Sequence, residues 1–146
     1  MSRKITRQRI YNGYFKHITG KPVTKDIRTK PIVKSGDPES KVLKDCMSWL
    51  RRNGVLASRN NVGFGDLRGT GKSYHYGIKD AGDIICHLQG RYCEVECKHG
   101  NGGIWKLNQQ QHAEKVKQSG GLYFVVHSVD ELSEKTRPYL TKEFLL

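Results

Sequence analysis

The chain has 146 residues, with 26 Lys and Arg against 14 Asp and Glu, for a formal net charge of +12. That length carries one domain with one core, and so basic a balance points to nucleic acid or, less often, to an anionic membrane surface. No segment approaches the apolar length of a membrane span, the start is too polar for a signal peptide, and no basic amphipathic stripe runs through residues 1–34, so the expectation is a cytoplasmic protein without a membrane partner.

Residues 1–34 hold ten of the basic residues and one acid, Asp26, which concentrates +9 of the charge there. Tyr11, Tyr14 and Phe15 are interleaved with the cations. The pattern reads as a basic arm that tracks phosphates, with Arg3, Lys4, Arg7, Arg9 and Lys16 as candidate contacts and aromatics that stack on bases or pack on the core. A solubilising tail is the alternative. Residues 35–146 read as a single domain. Asp37 is a candidate N-cap and Pro38 suits a first helical position. Val42, Leu43, Cys46, Met47 and Leu50 then form an apolar stripe at helical spacing, and Gly54 stops it. Glu39 falls in the first turn, where an acid favours the helix dipole and could also point into a cleft.

Residues 55–62 read as a strand, and 63–80, rich in Gly and polar residues, as a long loop or flap. Gly71-Lys72-Ser73 resembles the end of a P-loop, but Asp66 stands where its first glycine belongs. Gly63 and Gly65 lack the third glycine of a dinucleotide fingerprint, since Arg68 stands there. Next come two strands joined by Gln89-Gly90. Alternation puts Glu94, Glu96 and Lys98 on one face and Cys93, Val95 and Cys97 on the other. A helix is expected after Asn108, with Ala113 and Val116 inward, then a buried strand over 122–127 and short helices or turns to the end. A strand, crossover helix and strand in succession imply a right-handed parallel unit.

Cys46, Cys86, Cys93 and Cys97 form no CxxC pair and read as reduced core residues. Cys93, Cys97 and His99 as zinc ligands would lack a fourth partner. The chemistry lies in Asp83 and in Glu96-Cys97-Lys98, thirteen residues further on. Two carboxylates can hold Mg²⁺ or Mn²⁺, the metal acidifies a water, and a neighbouring ammonium helps position it: this is what phosphodiester hydrolysis requires. A solvated strand edge would carry the same acid and lysine pattern. Glu94 is a possible second-metal residue, with a structural role preferred. His75, His87, His99 and His112 are alternative general bases.

Taken in order, Glu39, Arg59-Asn60-Asn61-Val62-Gly63, Tyr76-Gly77-Ile78 leading to Gly82-Asp83, Glu94-Val95-Glu96-Cys97-Lys98 and Leu107-Asn108-Gln109-Gln110-Gln111 resemble the virus-type replication-repair nuclease domain of the PD-(D/E)xK superfamily, over residues 38–127. The resemblance implies an α/β fold of the restriction-endonuclease-like kind, an αβββαβ core with a mixed central sheet flanked by helices. It also implies that Asp83 and Glu96 hold Mg or Mn with the Cys97 carbonyl, that Lys98 is catalytic, that Glu39 supports the site and that Gln111 is the helix glutamine facing it. Arg59, Lys72 and Lys106 are candidate phosphate contacts of the domain. The family often has Pro or Ser before the aspartate, where this chain has Gly82. The function implied is a structure-selective DNA endonuclease, acting on branched or Holliday-junction DNA as a homodimer and leaving 5′-phosphate and 3′-hydroxyl ends. A monomeric flap- or end-acting nuclease and a non-catalytic nucleic-acid-binding module are the competing readings.

Overall fold

The structure is a computed structural model that describes residues 23–140. The candidate contacts Arg3, Lys4, Arg7, Arg9 and Lys16, with Tyr11, Tyr14 and Phe15, lie outside the described residues. The elements are β1 (Ile27–Arg28), α1 (Glu39–Arg52), β2 (Ala57–Arg59), β3 (Gly63–Asp66), β4 (Ser73–Tyr76), β5 (Ile84–Leu88), β6 (Arg91–Cys97), β7 (Ile104–Trp105), α2 (Leu107–Gln118), β8 (Leu122–Val126) and α3 (Val129–Thr136). The central sheet has the order β2-β5-β6-β8. β2 pairs antiparallel with β5 and β5 with β6, and β8 runs parallel to β6 after the crossover through α2. The chain is thus a mixed α/β protein with the αβββαβ order and a mixed four-stranded central sheet.

Each sheet face is covered because each strand alternates. Ile84, Cys86, Cys93, Val95, Cys97 and Val126 form the core with Val42, Cys46 and Leu50 of α1 and Leu132 of α3. Fully burying a Val, Leu or Ile among them contributes roughly 1.5–3 kcal/mol. α2 lies on the other face, where Ala113 and Val116 meet Tyr123, Tyr92, Trp105 and Val125. All four cysteines are free and buried. Cys93 and Cys97 have no exposed surface, and hydrogen bonding from Cys86 and Cys46, with burial, pushes their thiols up. They are apolar filling on the α1 side.

Several features differ from expectation, beginning with the strand expected over 55–62, which spans only Ala57–Arg59. α1 begins one residue late: Pro38 sits at the N-cap in an extended conformation, while the Asp37 carboxylate accepts from Lys41 at 3.4 Å instead of capping. The expected loop over 63–80 is a hairpin, β3 against β4, which pairs with no other strand among the described residues. Its glycines and polar residues mimic loop composition because both of its faces meet solvent. The turn at Gln89-Gly90 is as read, with φ of 52° and 79° at the two residues, the left-handed pair of a tight hairpin turn.

The described end of the basic segment is tied to the domain. β1 pairs with β7, Leu107 N–H donates to Asp26 Oδ1 at 2.7 Å, and Gln110 Nε2 donates to the Lys25 carbonyl at 2.9 Å. Thr29 Oγ1 donates to Gly103 O at 3.0 Å and lies 2.8 Å from Nε2 of buried His127. Among the described residues no helix is long and apolar enough to cross a membrane.

Candidate active site

β6 lies between β5 and β8, so its face toward α2 is interior, not a solvated edge. Glu94 is fully buried, Glu96 3% exposed and Lys98 6% exposed. Charged side chains are almost never buried to this degree unless paired. In the β5–β6 register Ile84 faces Val95, so one further pair brings Asp83 opposite Glu96. The Cys97 amide fixes this placement, donating to Asp83 Oδ2 at 2.8 Å. Lys98 Nζ donates to Glu96 Oε1 at 2.8 Å.

α2 completes the cluster. Gln109 Nε2 donates to Glu96 Oε1 at 2.9 Å, while Gln109 Oε1 accepts from Lys106 N–H at 3.1 Å and from Lys98 Nζ at 3.4 Å. Its oxygen therefore faces two donors and its nitrogen a carboxylate, which settles the amide orientation. The expected helix glutamine is Gln111. The structure gives the contact to Gln109 instead, because α2 starts at Leu107 and Gln111 is turned about 200° further round the helix. Gln111 Nε2 is buried and makes no hydrogen bond. The run of three glutamines contains the one that contacts Glu96, but choosing among them requires the helix start to within one residue.

Burial pushes the Glu96 carboxyl up to about 7, with the charges of Asp83 and Glu39 adding to the rise and Lys98 opposing it. Burial also raises Asp83, against the Cys97 amide, Lys98 and Arg59. A divalent cation relieves such a confined acid pair. Among the described residues, Asp83 Oδ1 and Glu96 Oε2 accept no hydrogen bond. Nor do those residues hold a group of three or more His, Cys, Asp or Glu side chains that could cage a metal. Two carboxylates with free oxygens fit Mg²⁺ or Mn²⁺, which are bound through one or two acids and keep several waters. The Cys97 carbonyl is the further oxygen donor that the resemblance supplies.

Glu39 is exposed at the first position of α1, near enough for its charge to act on Glu96. Arg59 is exposed on β2 and acts on Asp83. Lys106 is exposed at the N-cap of α2, and Lys72 is exposed at the far end of the β3–β4 hairpin, just before the strand that leads back toward Asp83.

Glu94 belongs to a separate network. Its Oε2 accepts from Gly82 N–H at 2.9 Å, and its Oε1 meets Tyr92 Oη at 2.6 Å and His112 Nε2 at 2.8 Å. Burial alone would raise this carboxyl, but His112, Tyr92 and the Gly82 amide together hold it below the usual range. With both oxygens engaged, Glu94 anchors the residue before Asp83. The same contact accounts for Gly82. Proline has no N–H to donate, and a Cβ there would stand 2.8 Å from the Val95 carbonyl oxygen.

Comparison of the chain with protein-family models, with curated proteins and with solved structures finds no match.

Proposed function

We propose that this chain is a metal-dependent DNA endonuclease in which Asp83 and Glu96 hold the metal and Lys98 is the catalytic cation. The observation that carries the reading is the buried Lys98 ammonium, 2.8 Å from Glu96 Oε1, on the strand whose Cys97 amide also fixes Asp83. A buried ion pair is costly to desolvate, and replacing it with apolar residues is often neutral or stabilising, so stability alone gives little reason to keep one.

Bound Mg²⁺ or Mn²⁺ supplies Lewis-acid polarisation of a phosphoryl oxygen and acidifies a water. The chain supplies the rest. Lys98 sets positive charge where negative charge grows on the phosphorus oxygens in the transition state. Gln109 and Lys98 converge on one oxygen of Glu96 and leave the other free for the cation. Glu39, at the exposed rim, adds negative charge that favours cation binding. Arg59, exposed beside Asp83, is placed to meet a DNA phosphate. Branched DNA as substrate and a homodimer as the active form complete the proposal, both on the sequence resemblance.

The test is cleavage of four-way junctions, flaps, single strands and linear duplex by the purified full chain in Mg²⁺, Mn²⁺ or EDTA, with molar mass by light scattering. The expected result is incision of branched DNA with either metal and none in EDTA. Metal-independent cleavage, or none on any DNA, would contradict it.

A further inference from the structure

Among the described residues the β3–β4 hairpin pairs with no other strand, yet it carries the most exposed aromatic rings. Phe64 is 73% exposed, Tyr74 48% and Tyr76 46%. A two-stranded hairpin open on both faces is marginal by itself in water, so its composition needs another reason. The register pairs Gly63 with Tyr76 and Gly65 with Tyr74, and residues paired across an antiparallel ladder share a face. On that face the two tyrosines lie over glycine backbone: a Cβ on Gly65 would come within 2.8 Å of the Tyr74 ring. The rings themselves stand 6.1 Å apart, tilted by 42°. Phe64 and His75 occupy the other face, 6.2 Å apart. At the far end Arg68 and Lys72 are exposed, and the Gly71 amide closes the tip by donating to Asp66 Oδ1 at 3.0 Å.

The foot of the hairpin is joined to the candidate active site. The Asn60 side chain clasps Ile78 in both directions, Nδ2 to the carbonyl at 2.9 Å and Oδ1 from the amide at 3.0 Å. The Asn60 amide donates to the Asp83 carbonyl at 2.8 Å. One residue therefore ties the hairpin to the backbone of Asp83.

We propose that the β3–β4 hairpin is a stacking element for unpaired bases, with Phe64, Tyr74 and Tyr76 as the ring platforms and Arg68 and Lys72 as phosphate contacts at its tip. The inference rests on the nuclease reading and names the feature of the DNA it takes, a strand whose bases are free of a duplex. Rings separated by glycine and polar residues, on two opposite faces, suit bases taken one at a time. They do not form the single contiguous apolar face that a second copy would bury. The tip cations on a chain of net charge +12 match a phosphate backbone. Fixed to Asp83 through Asn60, the hairpin would hold unpaired nucleotides beside the scissile phosphate, which is where a branch places them.

The test is binding without turnover. Fluorescence anisotropy in EDTA measures the affinity of the full chain for a single strand, a four-way junction and a linear duplex, over a range of salt. Phe64→Ala and Tyr74→Ala should each weaken single-strand binding by about tenfold, and duplex binding by less than about twofold, with an unchanged salt slope. Phe64→Trp should restore the affinity, which a folding defect would not allow. Arg68→Ala and Lys72→Ala should weaken all three DNAs and lower the slope by about 0.7–0.9 each. Equal losses on duplex and single strand, or no loss from either ring substitution, would overturn the proposal. So would a dimer that Phe64→Ala splits without changing affinity, which would make the hairpin a contact between copies. Because no divalent metal is present, absence of cleavage does not affect this result. Cleavage by ring variants that bind as wild type would sink the inference while leaving the nuclease reading in place.

Discussion

The amide of Gly82 donates to Glu94 Oε2 at 2.9 Å, and so a carboxylate buried beneath α2 fixes the residue before Asp83. The Tyr92 hydroxyl and the His112 ring meet the other oxygen, which leaves the Glu94 charge fully engaged. Glu94→Ala should therefore cost about 3–5 kcal/mol of stability, as removing one partner of a buried charged network does. Glu94→Gln, which keeps an acceptor for Gly82, should cost less, roughly 1–3 kcal/mol. Denaturant unfolding of the two variants checks this. Equal stability of Glu94→Ala and wild type would remove Glu94 from the positioning of Asp83.

The contacts of Gln109 separate it from its neighbours in sequence. Under the proposed metal role of Glu96, Gln109→Ala should reduce cleavage by about 10–100-fold, the usual loss when a residue orienting a metal ligand is removed. Gln111→Ala should leave the rate within about twofold, because Gln111 bonds to nothing at the site. Lys98→Ala should lose about a hundredfold or more while still binding Mn²⁺, if its ammonium acts on the transition-state charge as proposed. Single-turnover rates and Mn²⁺ calorimetry on the same preparations decide among these. A Gln111→Ala defect larger than that of Gln109→Ala would contradict the geometry.

The raised carboxyl of Glu96 predicts how metal-free stability depends on pH. Its proton is held to about 7 in the fold, against an ordinary value of 4.5. A group raised on folding contributes stability below its unfolded value and loses it as pH rises through the folded value. Asp83 is shifted in the same direction. Glu94 and Glu131 are shifted the other way, so their contributions are lost only in more acid solution. In EDTA the protein should lose on the order of 3 kcal/mol between about pH 5 and pH 8. Mg²⁺ or Mn²⁺ should then restore more at the higher pH. Denaturant melts across that range check this, and a profile that rose with pH in EDTA would contradict it.

Much of this arrangement is legible in the chain. The alternation of Cys93, Val95 and Cys97 with Glu94, Glu96 and Lys98 defines both faces of β6, because a strand has a strict period of two. The Gln89-Gly90 turn and the apolar stripe of α1 are legible for similar local reasons. The hairpin at 63–76 is not, since a strand pair with two wet faces has no core-facing pattern to display. The partners of Glu94 are hidden because His112 comes from a different element, and only the tertiary fold brings it under β6. Gln109 is hidden by a helix boundary, the least reliable feature of any reading from sequence.

The basic segment offers a test that the contacts of Thr29 redefine. Removing residues 1–34 would also delete Thr29, which meets buried His127 at 2.8 Å, and so would confuse charge with stability. Removing residues 1–22 instead takes six Lys and Arg and no acid, which leaves +6 of the +12, and keeps the contacts of Lys25, Asp26 and Thr29. If those cations neutralise phosphates, the slope of log K against log salt should fall by about 0.9 for each duplex phosphate they neutralise. An unchanged slope would place the phosphate contacts elsewhere on the protein.

The proposed role of Asp83 and Glu96 is to hold the metal on which cleavage depends. Its most direct test is single-turnover cleavage of one branched DNA by wild type, Asp83→Asn and Glu96→Gln, at saturating enzyme, with Mg²⁺ or Mn²⁺. The expected result is cleavage by wild type that EDTA abolishes, and a loss of at least about a hundredfold in either variant, with DNA affinity retained. Cleavage by both variants at the wild-type rate would contradict it.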